Sequence, residues 1–187
     1  MDDGDRVSHD RRWHAAVLSG DDAAWRLGYD AAYDAVRAYV NWRCAGLSDL
    51  VDDIVQETWL TAVRRIGNYE PGRASFGTWV CGIAGNAVRN ALRNRRRHTA
   101  RIEALVGDPP GPCDETDRED QAERTAQALA ELPDHYERAL RDKYLLGRSM
   151  AAIAEERGES VKAVESMLTR AREAFRQSYE RRGRNDG

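Results

Sequence analysis

The side chains closest to a catalytic constellation in this 187-residue chain lie in "DLVDDIVQETW", where Asp52, Asp53, Gln56 and Glu57 fall at helical-neighbour spacing away from the apolar positions. Paired carboxylates can trade a proton or hold a divalent cation. Here no histidine stands near them and no glycine-rich loop accompanies them to build a pocket. The acidic face is then either a solvated helix surface or a docking surface for a basic partner helix, and spacing leaves both open. His9, His14, His98 and His135 are scattered, and no nucleophile sits in a recognisable motif. Cys44, Cys81 and Cys113 form no CxxC pair or Cys/His cluster. No catalytic residue, metal site or cofactor is therefore expected, and the cysteines point to reduced thiols in a cytoplasm.

The second chemistry is anion binding. The net charge of −3 excludes a uniformly basic binder but hides a segregation. Residues 85–101 carry six arginines and no acid, whereas residues 102–123 carry eight acids and one base, Arg118. Such a dipolar chain can hold a polyanion with one part while the rest stays acidic. At about 100° per residue, Arg89, Arg93 and Arg96 fall opposite an apolar stripe, with Asn86 and Asn90 on its flank. A pure Arg/Asn face suits phosphates and base edges better than it suits mere solubility. Nine of the fourteen aromatics lie between Trp25 and Trp79, which sets stacking surfaces beside the cationic track. Phe76 and Trp79 lie on the apolar stripe and are expected in the core, so Tyr69, in a loop, is the better stacking candidate.

These residues need helices to position them. Trp25, Tyr29, Tyr33, Val36 and Val40 mark one helix over 25–44, and Leu50 to Ile66 mark a second that Ser48 or Asp49 can cap. The turn "GNYEPGR" leads into a third helix from about Ser75 to Arg97. No segment alternates like a strand. "GDPPGP" at 107–112 and its acidic surroundings have no apolar periodicity and read as a linker. The expected fold is all-α: two small helical domains, 10–100 and 123–182, joined by an acidic flexible linker over 101–122. In the second domain Ala154, Gly158 and Val164 have helix-turn-helix spacing: a small residue at the crossing, a glycine at the turn and a β-branched residue packing the second helix back. Ser160 is placed to cap that second helix, which is expected to bury Val161, Val164, Leu168, Ala171 and Phe175. Lys162, Glu165, Ser166, Thr169, Arg170 and Arg176 are left on its outer face. No apolar run approaches the ~18–20 residues that span a bilayer, so no membrane insertion is expected, and the acidic start is no signal peptide.

Four stretches in this order, "DDIVQETWLTAV", "NYEPGRASFGTWVCGIAGNAVRNALRNRRRH", "ALAELPDHYERALRDKYLLG" and the helix-turn-helix from Ser149, resemble a bacterial RNA polymerase sigma factor of the extracytoplasmic-function (ECF) group. They cover most of residues 25–180. The resemblance implies a non-enzymatic, cytoplasmic protein that binds core RNA polymerase and promoter DNA. Asp52, Asp53, Gln56, Glu57 and Leu60 would dock on the clamp helices of the largest polymerase subunit. Asn68, Tyr69, Arg73, Phe76, Trp79, Asn86, Arg89, Asn90, Arg93, Arg96 and Arg97 would capture and melt the −10 element. Ser160, Lys162, Glu165, Ser166, Thr169 and Arg170 would read the −35 duplex, and the acidic linker would thread toward the RNA exit path. An anti-sigma protein is implied as a further partner.

The sequence departs from the family's pattern in places. The recognition helix reads "KAVESMLTRAR", where many relatives carry a basic residue near Glu165 or Met167. Gly85 and Asn90 stand where relatives often have an arginine and an aspartate, and a glycine inside a helix costs roughly 0.5–1 kcal/mol relative to alanine. The first twenty residues, with Trp13 and His14, match nothing in the pattern. The competing expectation is a free-standing helix-turn-helix regulator acting without polymerase, probed by whether the acid-rich helix has a use.

Overall fold

The structure, a computed structural model, describes residues 3–106 and 114–183, and every regular element among them is helical. The chain divides into two compact units. One comprises Met1–Val40 with Asp49–Val88, the other Asn41–Ser48 with Arg89–Gly187.

The first unit is built on α1 (Asp3–Leu18), most of α2 (Asp22–Cys44), α3 (Val51–Arg65) and the first part of α4 (Phe76–Val106). Val36, Val40, Val80, Ala84 and Val88 are fully or almost fully buried, joined by Ile54, Val55 and Trp59 from α3. The apolar periodicity of α2, α3 and α4 thus faces one core, as a 3.6-residue repeat requires. Thr58, fully buried in α3, satisfies its hydroxyl by donating to the Ile54 carbonyl at 2.7 Å. The N-cap position of α3 falls on Leu50 and not on Ser48 or Asp49: a 3₁₀ turn over Ser48–Leu50 runs straight into the helix, so the chain enters already wound. The unforeseen element is α1. Its apolar residues are too sparse to form a continuous stripe in the sequence.

The second unit holds α5 (Asp114–Glu131), α6 (Asp134–Leu140), a single π turn over Arg141–Leu145, α7 (Met150–Arg157) and α8 (Val161–Gly183). Leu129, Leu132, Leu140, Ile153, Val164 and Leu168 form its core. Buried in the same unit, Arg43 from the end of α2 donates to the Leu129 carbonyl at 3.0 Å and stands 3.8 Å from Glu137. Helix reaches further into the acidic stretch than expected: α4 ends at Val106 and α5 begins at Asp114. "DETDREDQAER" is rich in good helix formers, and its acids suit a helix N-terminus, which outweighs the repulsion between them. The proline-rich core of the expected linker, 107–113, and Cys113 with it, lie outside the described residues. Cys44 and Cys81 are buried and in no disulfide among the described residues, which suits a packing role.

Candidate nucleic-acid interface

The acid-rich side of α3 is fully outward. Asp52, Asp53, Gln56, Glu57 and Leu60 are all exposed, while Val51, Ile54, Val55 and Thr58 point inward. Asp52 is engaged, accepting from Arg37 at 2.7 Å, and that bond, followed by Tyr33, raises the Arg37 pKa above its usual value. Beside this edge runs an open groove of about 400 Å³ walled by Tyr29, Tyr33, Trp59, Leu60 and Val63, with Gln56 and the Arg37–Asp52 pair in its lining. Leu60 and Val63 expose about half their surface there, 48% and 51%. Burial, then the neighbouring Tyr33 and Asp30, raise the Tyr29 pKa above its usual value. The face offers carboxylates, an amide and an apolar shelf, the chemistry of a protein contact and not of a hydrolytic pocket.

The loop between α3 and α4 is compact. A 3₁₀ turn covers Ile66–Asn68, Gly72 takes φ 98°, and Ser75 caps α4 by accepting from the Thr78 amide at 3.3 Å. Asn68 and Arg73 are exposed on it. Tyr69 is not the open stacking platform expected. Only 2% of its surface is exposed, and its hydroxyl donates to the Ala74 carbonyl at 3.0 Å, closing the loop on itself. Its ring lies 5.7 Å from Phe76 and 5.5 Å from Trp79, centroid to centroid. Phe76 is buried, as its place on the apolar stripe predicts, and Trp79 is half-buried. A buried phenol that can bond its own loop's carbonyl is worth more there than in water, a gain the spacing of "GNYEPGR" does not reveal.

Asn86 is exposed on α4 within the first unit. Gly85 beside it has a packing reason: a Cβ there would lie 2.9 Å from the Tyr39 hydroxyl, so a larger residue would force the Tyr39 side chain to shift. On the continuation of α4 in the second unit, Asn90, Arg93 and Arg96 are exposed, as the 100° projection expects, and Arg97 is exposed too, whereas Arg89, set by that projection opposite the apolar stripe, is not fully outward. Arg89 is half-buried and pairs with Asp134 at 3.5 Å, and Arg95 pairs with Glu119 and with Glu123 at 3.6 Å.

The helix-turn-helix follows the expected spacing. Ser149 caps α7 by accepting from Ala152, Gly158 closes it in the left-handed region at φ 63°, and Ser160 caps α8 by accepting from the Ala163 amide at 3.2 Å. Ala154, Val164, Leu168 and Ala171 are buried. Lys162, Glu165, Ser166, Thr169 and Arg170 all lie on the exposed face, and the Arg170 guanidinium folds back onto the Ser166 carbonyl at 3.3 Å. Val161, expected inside, is 44% exposed: as the first helical residue it precedes the turn that meets the core. Against α5, the far end of α8 is fastened by polar contacts. Glu131 accepts from Ser178, Arg181 and Arg182, and Arg182 also donates to Gln127.

The chain matches the family model for sigma-70 region 2 over residues 29–98 and that for sigma-70 region 4 over residues 122–175. It is 34% identical over 130 residues to the RNA polymerase sigma factor CarQ of Myxococcus xanthus, covering 68% of this chain and 74% of that protein. It is also 28% identical over 157 residues to the ECF RNA polymerase sigma factor BldN of Streptomyces coelicolor, covering 80% of this chain but 58% of the longer relative. The chain belongs to the ECF sigma factors. Among solved structures, CnrH in complex with the cytosolic domain of CnrY aligns with a TM-score of 0.49 at 26% identity, over 90% of the sigma factor and 95% of that chain. The family models begin at Tyr29, so α1, with Trp13 and His14, precedes the matched residues of this sigma factor. No helix among the described residues is long and apolar enough to cross a membrane.

Proposed function

We propose that this sigma factor docks on bacterial core RNA polymerase through the outer face of α3, captures and melts the −10 element with the α3–α4 loop and α4, and reads the −35 duplex with α8. The docking residues are Asp52, Asp53, Gln56, Glu57 and Leu60. Asn68, Arg73, Asn86, Asn90, Arg93, Arg96 and Arg97 reach the −10 strand directly, while Tyr69 and Phe76 shape the loop from behind and Trp79 forms its half-open edge. Arg89 is released from Asp134 to meet DNA. Ser160, Lys162, Glu165, Ser166, Thr169 and Arg170 face the −35 groove, where helix side chains meet base edges and phosphates.

One observation carries this reading: α3 buries Val51, Ile54, Val55, Trp59 and Ala62 and still presents an exposed acidic edge, with Leu60 and Val63 open beside an aromatic groove. A regulator acting on duplex alone has no use for that edge. The sigma factor is not itself an enzyme; the polymerase supplies the chemistry. It works in the cytoplasm, and an anti-sigma protein is a further partner.

Run-off transcription with purified bacterial core polymerase on DNA randomised upstream of the start tests this directly. Specific initiation is expected with the wild-type chain and is expected to vanish with Asp53→Ala combined with Gln56→Ala, while circular dichroism stays unchanged. Tight duplex binding without polymerase, and no initiation, would move the function to the free-standing regulator.

A further inference from the structure

The N-terminal helix has no part in the reading above, yet it touches the −10 loop at several points within the first unit. The Trp13 indole donates to the Ala24 carbonyl at 2.7 Å, so its ring is fixed on α2. From that seat it reaches the loop, with its centroid 4.6 Å from Phe76 and 6.1 Å edge-on from Tyr69. His14 bonds the Ile66 carbonyl at 2.9 Å, at the start of the loop's 3₁₀ turn, and stands edge-on to Tyr69 at 5.3 Å. Asp10 lies 3.5 Å from the Tyr69 hydroxyl. A Cβ at Gly72 would come 3.2 Å from Val7, so α1 also lies beside the loop's turn.

The seat is built on both sides. A Cβ on Gly28 of α2 would lie inside the indole of Trp13, 2.9 Å from Cε2 and closer still to Cζ2. Only glycine leaves room for the ring at that point of the helix. Tyr69 and Phe76 then pass the contact on to Trp79, at 5.5 and 5.9 Å. Aromatic rings in such offset and edge-to-face contacts lock one another's orientation. The loop's outward residues, Asn68 and Arg73, are thereby mounted on a wall whose rear layer is α1.

We infer that Trp13 and His14 are positioning residues for −10 recognition: α1 holds Tyr69 and Phe76 in the arrangement that aims Asn68 and Arg73, and so sets how strictly the −10 bases are read. This rests on the assignment of the loop to the −10 element. Neither residue touches DNA. Their effect comes through the loop, where displacement of a reading group by about 1 Å costs on the order of a hundredfold.

The test uses the full chain with core polymerase on the randomised upstream library, scoring the recovered −10 and −35 halves of the motif separately. Trp13→Ala and His14→Ala are compared with Gly28→Ala, which displaces the indole without altering α1 or the loop. All three are expected to relax the −10 half, to leave the −35 half intact, and to lower transcript yield from the wild-type consensus about tenfold or more even at saturating sigma factor. Trp13→Phe, which keeps a ring in the seat, is expected to restore most of the −10 preference. A merely structural α1 would lower the folded fraction, so saturation would restore yield and the motif would not change; that result overturns the inference. Asn68→Ala and Arg73→Ala separate the two levels. If they leave the −10 half unchanged, the loop assignment itself fails. If they relax it while Gly28→Ala and His14→Ala do not, only the role of α1 falls. Should Trp13→Ala fail to fold, the Gly28→Ala and His14→Ala pair still decides.

Discussion

The two surfaces proposed to face DNA in this sigma factor are assembled by opposite means. On α8 the outward residues sit on one regular helix, started by the Ser160 cap and backed by Val164, Leu168 and Ala171 from the same helix. Position along the chain fixes direction in space, because 3.6 residues make a turn. On the α3–α4 loop, direction is fixed by residues far away in sequence: Tyr69 bonds Ala74 nearby but leans on Asp10, Trp13 and His14, more than fifty residues earlier. The two units are also fastened differently. Nine rings from Trp13 to Trp79, His14 included, form a connected cluster in the first. In the second, Glu131 gathers Ser178, Arg181 and Arg182 at the ends of α5 and α8. A local surface tolerates change elsewhere in the chain, whereas a surface mounted on distant packing inherits every fault in it.

The largest expected effect strikes the local surface at its root. Leu168 is 2% exposed in the core behind the α8 face. Leu168→Ala removes its packing and leaves a cavity, at a cost of about 2–5 kcal/mol. The urea midpoint of the second unit should fall accordingly, and −35 duplex binding should go with it although no outward residue has changed. A variant that keeps both would mean that the α8 face does not depend on this core.

A smaller effect bears on the non-local surface. Tyr69→Phe keeps the ring and removes only the hydroxyl that donates to Ala74. The lost bond, with the loop carbonyl left short of its partner, costs about 1 kcal/mol. If Tyr69 stacked on an unpaired base, phenylalanine would serve as well and open-complex formation would be unchanged. With Tyr69 as a buried anchor, thermal stability and the rate of −10 opening are both expected to drop. Equal opening rates for the two proteins would return Tyr69 to the stacking role.

The same contrast explains which features could be read before the structure was known. The helix-turn-helix, its glycine at positive φ and the Ser160 cap follow from spacing alone, because each acts on neighbours within a turn or two. The outward acids of α3 follow from the same periodicity. Val161 went astray because a helix's first residue has no preceding turn to set it against the core. Tyr69 went astray for a deeper reason: nothing in "GNYEPGR" says that a separate helix will cover it. α1 leaves little trace in the sequence because its contacts are made by single residues, Trp13, His14 and Val7, and not by a stripe. The nearest sequence hint was Trp13–His14 itself, two large rings side by side outside the family's pattern, with Gly28 where the indole would need room.

The smallest expected effect tests the two kinds of fastening through pH. Burial raises the Glu131 pKa, but the Ser178 hydroxyl, Arg182 and Arg181 together outweigh it and hold the carboxyl below its reference value of 4.5. A carboxylate whose pKa is lower folded than unfolded stabilises the fold at every pH above the unfolded value. That contribution fades as pH falls through the folded value, because both states then carry the proton. Glu131 keeps 41% of its side chain exposed, so solvent screens the pairing and its worth stays within ~1 kcal/mol. Glu131→Gln keeps an acceptor for Ser178 and removes the charge. At neutral pH its urea midpoint should lie slightly below that of the wild type, and the gap should narrow as the solution is acidified and the folded carboxyl takes up its proton. A gap that stays constant with pH would show that hydrogen bonding and packing, not charge, join α5 to α8. The second unit would then be fastened much as the aromatic one is.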